Sequence, residues 1–335
     1  MQVKVHKGDS IMCTALNFGQ NRRYFGRTLD LEYHYNEEVV VTPRGYSFSL
    51  KNEGVIRTRF AMIGTAIVVE DYPLYYEAVN EHGLSMAGLH FNENARYFEA
   101  QKGKLNLSTY ELFPYFLGMY GTVAELRPLL QRLNISNENF SPELPLSPLH
   151  WMIADDRECI VVEQTEEGLR VYENPLGVMT NNPTFAYHLD YLEEFQTLTP
   201  EYKLISENID GVCFDCDGYG SLGLPGDYSP TSRFVKAVFL KETACGEYDE
   251  PSDAISQFFH VMDAVSMVKG SVITKEGELD MTVYTCCIDT NRGIFYYKTY
   301  ENNRLSAVRM TTQNKTGTSL ERYPLQTRQD ICFEN

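Results

Sequence analysis

Short strand-forming runs come first in this chain and helical patterns only after them, and that block order constrains the fold more than any other feature of the sequence. Runs rich in β-branched, aromatic and aliphatic residues at 13–18, 24–30, 39–42, 60–69 and 84–89 read as strands. Helical signals follow. Ser108 and Glu111 form a capping box ahead of residues 112–120. Thr122 and Glu125 form a second, ahead of a helix carrying Leu126, Leu130 and Leu133, with Pro128 close enough to its start to be tolerated. Residues 159–164 and 169–172 then make a hairpin turning at Glu166, Glu167 and Gly168. Near the end, Ser252 caps a helix with Ile255, Phe258, Phe259, Met262 and Val265 on one face, and residues 284–288 pair with 294–300. Blocks of strands and helices, rather than strict alternation, predict an α+β layered fold with a mostly antiparallel sheet. No repeat or Pro/Ser-rich linker divides residues 12–335, which read as a single domain.

Charge and hydropathy exclude several classes of function. Lys plus Arg number 29 against 46 Asp plus Glu, and the resulting net charge of -17 repels phosphate backbones, so nucleic acid is not the expected partner. The longest apolar run, residues 61–69, is broken by Gly64 and Thr65 and falls short of the roughly 18 to 20 residues of a membrane span. The opening MQVKVHKGDSIMC has no apolar stretch behind a basic start, so it does not read as a secretory signal and a cytoplasmic protein is expected. The 8 cysteines are too sparse for a disulfide framework. Cys213 and Cys216 have CxxC spacing without the second ligand pair of a zinc site, so no metal is expected. Cys286 and Cys287 are adjacent on a strand and point to opposite faces. The turn-rich run 220–234 lacks the spacing of a phosphate-cradling loop and delivers one arginine, Arg233.

Cys13 stands out because it follows a methionine, Met12, at the head of the first strand. Read back through the genetic code, Lys7, Gly8 and Asp9 can be spelled AAAGGAGA, a purine-rich ribosome-binding sequence a short spacer before the Met12 codon. Residues 1–11 are therefore expected to be an untranslated leader, or else a propeptide, absent from the mature protein. Removal of Met12 would leave Cys13 with a free α-amine of pKa about 7.7 to 8.0, so that nucleophile and general base share one residue. Arg27 would favour the thiolate and Asp30 would hold the ammonium. Three residues apart on a strand they face opposite ways, so a bend or a strand end near Gly26 would be needed to bring both to one side. Asn181, before Asn182-Pro183, offers an amide for an oxyanion. His90 has the bland reading of a hydrogen-bonded core histidine.

The ordered landmarks Met12-Cys13-Thr14, Phe25-Gly26-Arg27-Thr28-Leu29-Asp30, Asp71-Tyr72-Pro73, Asn80-Glu81-His82-Gly83-Leu84, Ala87-Gly88-Leu89, Leu149-His150-Trp151, Val161-Val162-Glu163-Gln164, Thr180-Asn181, Gly223-Leu224-Pro225-Gly226-Asp227, Ser232-Arg233-Phe234 and Thr299-Tyr300-Glu301-Asn302 together resemble the choloylglycine hydrolase family. These are N-terminal-nucleophile hydrolases comprising bile salt hydrolases and penicillin V acylases. The resemblance implies a four-layer αββα sandwich, commonly assembled as a homotetramer, that needs no cofactor. It carries the catalytic set onto Cys13 as nucleophile, Arg27 and Asp30 beside it, Asn181 in the oxyanion hole, and Arg233. It also implies conjugated bile acids as small-molecule substrates, with an apolar mouth expected from Leu29, Ile67, Val68 and the segment 133–140. Two positions depart from the family. Thr28 replaces the usual Asn, where strand packing is expected to matter more than chemistry. His90 stands at the second oxyanion position, where bile salt hydrolases have Asn and many penicillin V acylases have Tyr. Its backbone N–H can still serve while its side chain reshapes the pocket.

A penicillin V acylase uses the same machinery on a phenoxyacetyl amide, and a non-catalytic bile-acid binder would result if Cys13 kept its upstream residues, because a peptide nitrogen is not a base. Edman degradation of the protein expressed in a bacterium is expected to return Cys13 as the first residue; a retained Met12 or Met1 would leave the binder.

Overall fold

The computed structural model describes residues 12–19, 24–201, 220–244, 248 and 250–335. The 1–11 leader, the Cys213/Cys216 pair and Cys245 lie outside the described residues. The first half runs β1 (Met12–Phe18), β2 (Tyr24–Leu31), β3 (Glu38–Thr42), β4 (Ser47–Leu50), β5 (Gly54–Arg57), β6 (Met62–Val69), β7 (Tyr72–Asn80), β8 (Ser85–His90), β9 (Leu105–Ser108), α1 (Leu112–Met119), α2 (Val123–Leu130) and β10 (Leu133–Ser136). Next come β11 (Leu149–Ala154), β12 (Cys159–Thr165), β13 (Gly168–Glu173), β14 (Val178–Met179), α3 (Phe185–Leu192), α4 (Pro230–Thr243) and α5 (Pro251–Asp263). The chain closes with β15 (Val272–Ile273), β16 (Leu279–Asp289), β17 (Ile294–Thr299), β18 (Ser306–Arg309), α6 (Thr312–Lys315) and β19 (Glu321–Pro324).

Two antiparallel sheets carry the structure. The first has the order β14-β1-β2-β16-β17-β18, with β15 beside β16, and the second the order β13-β12-β11-β8-β7-β6-β3-β19. Strands β1 and β2 touch β8 across the gap, so the sheets lie face to face. Helices α4 and α5 cover the outer face of the first sheet and α1 that of the second. The result is the four-layer αββα sandwich that the sequence landmarks imply. Alternation along the strands sorts the core into two. Met152, Ala154, Cys159 and Val161 point into the layer between the sheets, while Trp151, Ile153, Ile160 and Val162 point toward α1 and α2. Both hairpins read from the sequence are present, β12 with β13 and β16 with β17.

Three local readings differ. Helix α2 stops at Leu130, and Leu133 opens β10 instead of continuing the helix. Residues 133–136 pair in parallel with β9, Leu133 opposite Leu105, and this non-local strand pairing overrides the leucine spacing. Helix α5 begins at Pro251 behind Glu250, so Ser252 lies inside the first turn rather than at the cap. Proline's fixed φ suits the first helical position and moves the start forward. Finally, β2 pairs with β1 without interruption from Tyr24 to Asp30, so no bend occurs at Gly26.

Gly26 has a different role. A Cβ there would stand 2.0 Å from the Cys286 carbonyl oxygen on β16, a backbone atom that cannot move without breaking the sheet. Gly26→Ala is expected to destabilise the protein by about 1–3 kcal/mol in urea denaturation. Gly226→Ala, where nothing lies within 4 Å, is the control and should stay within about 0.5 kcal/mol of the parent.

Candidate active site

Register on two neighbouring strands assembles the site. Cys13 stands opposite Leu29 and Ala15 opposite Arg27, so the Cys13, Arg27 and Leu29 side chains share the face turned toward the second sheet. Thr14, Thr28 and Asp30 share the opposite face, toward α4 and α5. Arg27 and Asp30 thus address different parts of the cysteine, and no bend is required. The Arg27 Nη2 donates to Cys13 Sγ in a short contact, Nη1 to the carbonyls of Gly88 (2.6 Å) and Tyr76 (3.3 Å), and Nε to that of Thr28 (3.1 Å). Its counter-charge is Glu77 on β7, 3.9 Å from Nε and itself accepting from the Tyr284 hydroxyl at 2.7 Å.

On the other face, Asp30 accepts from Thr282 Oγ1 at 2.6 Å and from Thr28 Oγ1 at 3.2 Å. Thr28 Oγ1 in turn accepts from the Thr14 N–H at 3.1 Å. Thr28 is therefore a polar link between β1 and Asp30 as well as a packing residue, a role its replacement of Asn did not suggest. The Ser229 cap starts α4 and brings in Arg233, which is buried. Arg233 Nη1 donates to the Cys13 carbonyl and to Thr14 Oγ1 (2.8 Å), Nη2 to Asn181 Oδ1 (2.8 Å), and Nε to the Tyr228 carbonyl (3.0 Å). Asn181, just beyond β14, also accepts from the Cys13 N–H at 2.6 Å and donates from Nδ2 to the His90 carbonyl at 2.9 Å. The five residues Cys13, Arg27, Asp30, Asn181 and Arg233 are thus brought together, with His90 at the edge of the same cluster.

Beside Arg27 opens a cavity of about 400 Å³ walled by apolar and aromatic side chains including Leu29, Ile67, Tyr35, Phe113 and Phe140, with His90 at its polar end. Val68 does not line it. As the neighbour of Ile67 on β6 it points the other way, against the α1 side of the second sheet. The segment 133–140 contributes Phe140, whereas Leu133 is buried in the core beneath the helices.

Burial dominates the electrostatics. It pushes the Cys13 thiol up to about 11, against the pull of Arg27. It pushes Asp30 up to about 6, opposed chiefly by Arg233 and the Thr282 hydroxyl, and Glu77 up to about 7, opposed by Arg27. Burial works against the Arg27 guanidinium too, yet Cys13, Tyr284 and Glu77 hold it above its ordinary value. Burial, aided by His150, drives His90 down to about 4, leaving a neutral ring at the cavity. Asp280, buried near Asp30 and Glu32, is raised to about 8 by burial and by those two carboxylates. Glu77, Asp280 and Tyr284 are functional neighbours that sequence reasoning missed. A glutamate inside the otherwise strand-like run Tyr72–Asn80 was the available signal for the first.

Comparison with known proteins shows the family of the chain. Residues 13–323 match the family described as linear amide C-N hydrolases, choloylglycine hydrolase family. The chain is 42% identical over 317 residues to a bile salt hydrolase/transferase of Lactiplantibacillus plantarum, covering 94% of this chain and 97% of the relative. Its fold superposes on a variant of conjugated bile acid hydrolase from Clostridium perfringens with a TM-score of 0.88 at 34% identity, covering 96% of this chain and 100% of the other. Penicillin V acylase from Agrobacterium tumefaciens shares the fold with a TM-score of 0.73 at 20% identity, covering 92% of this chain and 90% of the other.

The raised Asp280 carboxyl makes stability depend on pH. The folded state keeps its proton up to about 8, whereas an unfolded aspartate releases it near 3.8, so the contribution is full below the lower value and is lost as pH rises through the higher one. Asp280→Asn, which never ionises, is expected to gain on the parent between pH 5 and pH 8.5, by an amount on the order of a few kcal/mol. Urea denaturation at the two pH values checks this, and an identical difference at both would show an aspartate that titrates normally.

Proposed function

Since this chain belongs to the choloylglycine hydrolase family of linear amide C-N hydrolases, we propose that it cleaves the amide bond of glycine- or taurine-conjugated bile acids, releasing free bile acid and the amino acid. The observation that carries this reading is a thiol in contact with a buried guanidinium beside a deep apolar cavity, in a chain whose relatives are named for bile acid conjugates. A conjugated bile salt has a rigid apolar ring system, an amide and an anionic end. The apolar walls suit the rings. Arg27 and Arg233 supply local positive potential against the net charge of -17.

Cys13 is the proposed nucleophile once residues 1–12 are gone. Its α-amine takes the thiol proton, Sγ bonds to the amide carbon, and the carbonyl oxygen becomes an oxyanion held by the Asn181 amide and the His90 backbone N–H. Collapse breaks the C–N bond as the α-ammonium returns the proton to the leaving nitrogen, giving a thioester on Cys13. Water, deprotonated by the same amine, then attacks the thioester and regenerates the thiol. Arg27 stabilises the sulfur anion, and Asp30, reached by the backbone end of Cys13, balances the ammonium. Burial that holds the thiol near 11 while Cys13 remains peptide-bonded makes the freed amine the decisive addition. The reading includes a homotetramer acting in the cytoplasm without a cofactor.

A chain beginning at Met12 is expected to release glycine from glycocholate and taurine from taurocholate, detected as free amine. Cys13→Ala should lower this by at least about 10³-fold, given that covalent catalysis has no substitute here. Release of phenoxyacetate from penicillin V without amine release from either bile salt would overturn the substrate assignment while keeping the chemistry.

A further inference from the structure

Asn181 is gripped from behind by two histidines that the mechanism above does not use. His150 on β11 is fully buried, with Nε2 2.8 Å from the Thr180 carbonyl and Nδ1 3.0 Å from Glu163 Oε1 on β12. A carbonyl oxygen only accepts, so Nε2 is the donor to Thr180, while Nδ1 faces the Glu163 carboxyl. Phe91 stacks on it at 4.3 Å with the rings 6° apart, which fixes the ring plane. His188 on α3 is also buried, and its Nε2 donates to the Asn181 carbonyl at 2.8 Å. Thr180 adds a third tie through its hydroxyl to the Pro230 carbonyl at 2.9 Å.

Glu163 holds both histidines. The same Oε1 that faces His150 Nδ1 accepts the Phe185 N–H at 2.9 Å, and Phe185 is the first residue of α3, the helix that carries His188. A carboxylate at that helix start also meets the positive end of the helix dipole. We propose that Glu163, His150 and His188 form a buried clamp on the Thr180 and Asn181 carbonyls that positions the Asn181 amide for the oxyanion. All three are positioning residues. They touch no reacting atom, and they act by fixing the two peptide units from which the amide projects. The inference rests on Asn181 as the oxyanion amide.

A double-mutant cycle tests it, with kcat and KM measured for the parent, His150→Gln, Asn181→Ala and the pair, on glycocholate and in parallel on p-nitrophenyl acetate. His150→Gln keeps an amide donor but not the ring that spans from the Thr180 carbonyl to Glu163. A misplaced oxyanion amide is expected to cost about 10- to 100-fold in kcat with KM within about 3-fold. In the Asn181→Ala background the same change should cost less than about 3-fold, because its target is gone. Equal losses in both backgrounds, or an unchanged kcat in the folded single variant, overturn the clamp. If His150→Gln does not fold, Glu163→Gln runs through the same cycle, since it keeps an oxygen for the Phe185 N–H. A parent that turns over the ester but not glycocholate would refute the bile salt reading alone, with the cycle then read on the ester.

Discussion

The buried guanidinium of Arg27 is the constraint on which the rest of the structure depends. A charge taken out of water is costly unless its donors are matched, and a guanidinium has five of them in a fixed fork. Here the matching groups come from both sheets. Cys13 Sγ and the Thr28 carbonyl belong to the first, the Tyr76 and Gly88 carbonyls and the Glu77 carboxylate to the second. Arg27 is thus satisfied only when the two sheets are packed in this register. The fold that buries an apolar layer also closes the charge network that addresses the thiol, so structure and site cannot be separated at this position.

Charge balance in this buried layer accounts for the several acids around Cys13. Two buried arginines face Asp30, Glu77 and Asp280, and burial raises all three carboxyls toward or beyond neutrality. Only for Asp280, beside Asp30 and Glu32, do neighbouring carboxylates add to burial and favour the protonated carboxyl. Arg27 is committed to Glu77 and the sulfur, Arg233 to Asn181 and the backbone of Cys13 and Tyr228. An α-ammonium at Cys13 would add a third cation beside Asp30. The proposed release of the upstream residues would therefore change the electrostatic state of the cluster as well as supply a base.

Much of this was legible in the sequence, for reasons that also say where legibility stops. Hairpins and most strands follow from local alternation and turn residues, and Cys13, Arg27, Asp30, Asn181 and Arg233 stand in ordered landmarks. What failed was what non-local packing decides. Val68 and Ile67 are equally apolar, and only the pleat relative to the second sheet tells which one sees the cavity. Leu133 continued a leucine spacing that pairing with Leu105 on β9 overrode. Glu77 and Asp280 draw their meaning from residues on other strands, Arg27 and Tyr284 in one case, Asp30 and Glu32 in the other. His150 and Glu163 were visible as landmarks, but their union is a cross-strand pair between β11 and β12 that no spacing along one strand discloses.

The anionic substrate proposed for a protein of charge -17 looks at first like an electrostatic mismatch. The resolution lies in distance and dielectric. Exposed acids are screened beyond about 8 Å at physiological ionic strength, whereas buried charges are screened much less. Arg27 lines the cavity itself, and the neighbouring His90 is neutral because burial and His150 hold its ring down to about 4, so the local positive charge comes from the arginines and not from this ring. Net charge then governs solubility and repulsion from other polyanions, while the field at the reacting bond is set by a few buried groups. The global and local signs can differ because they act over different lengths.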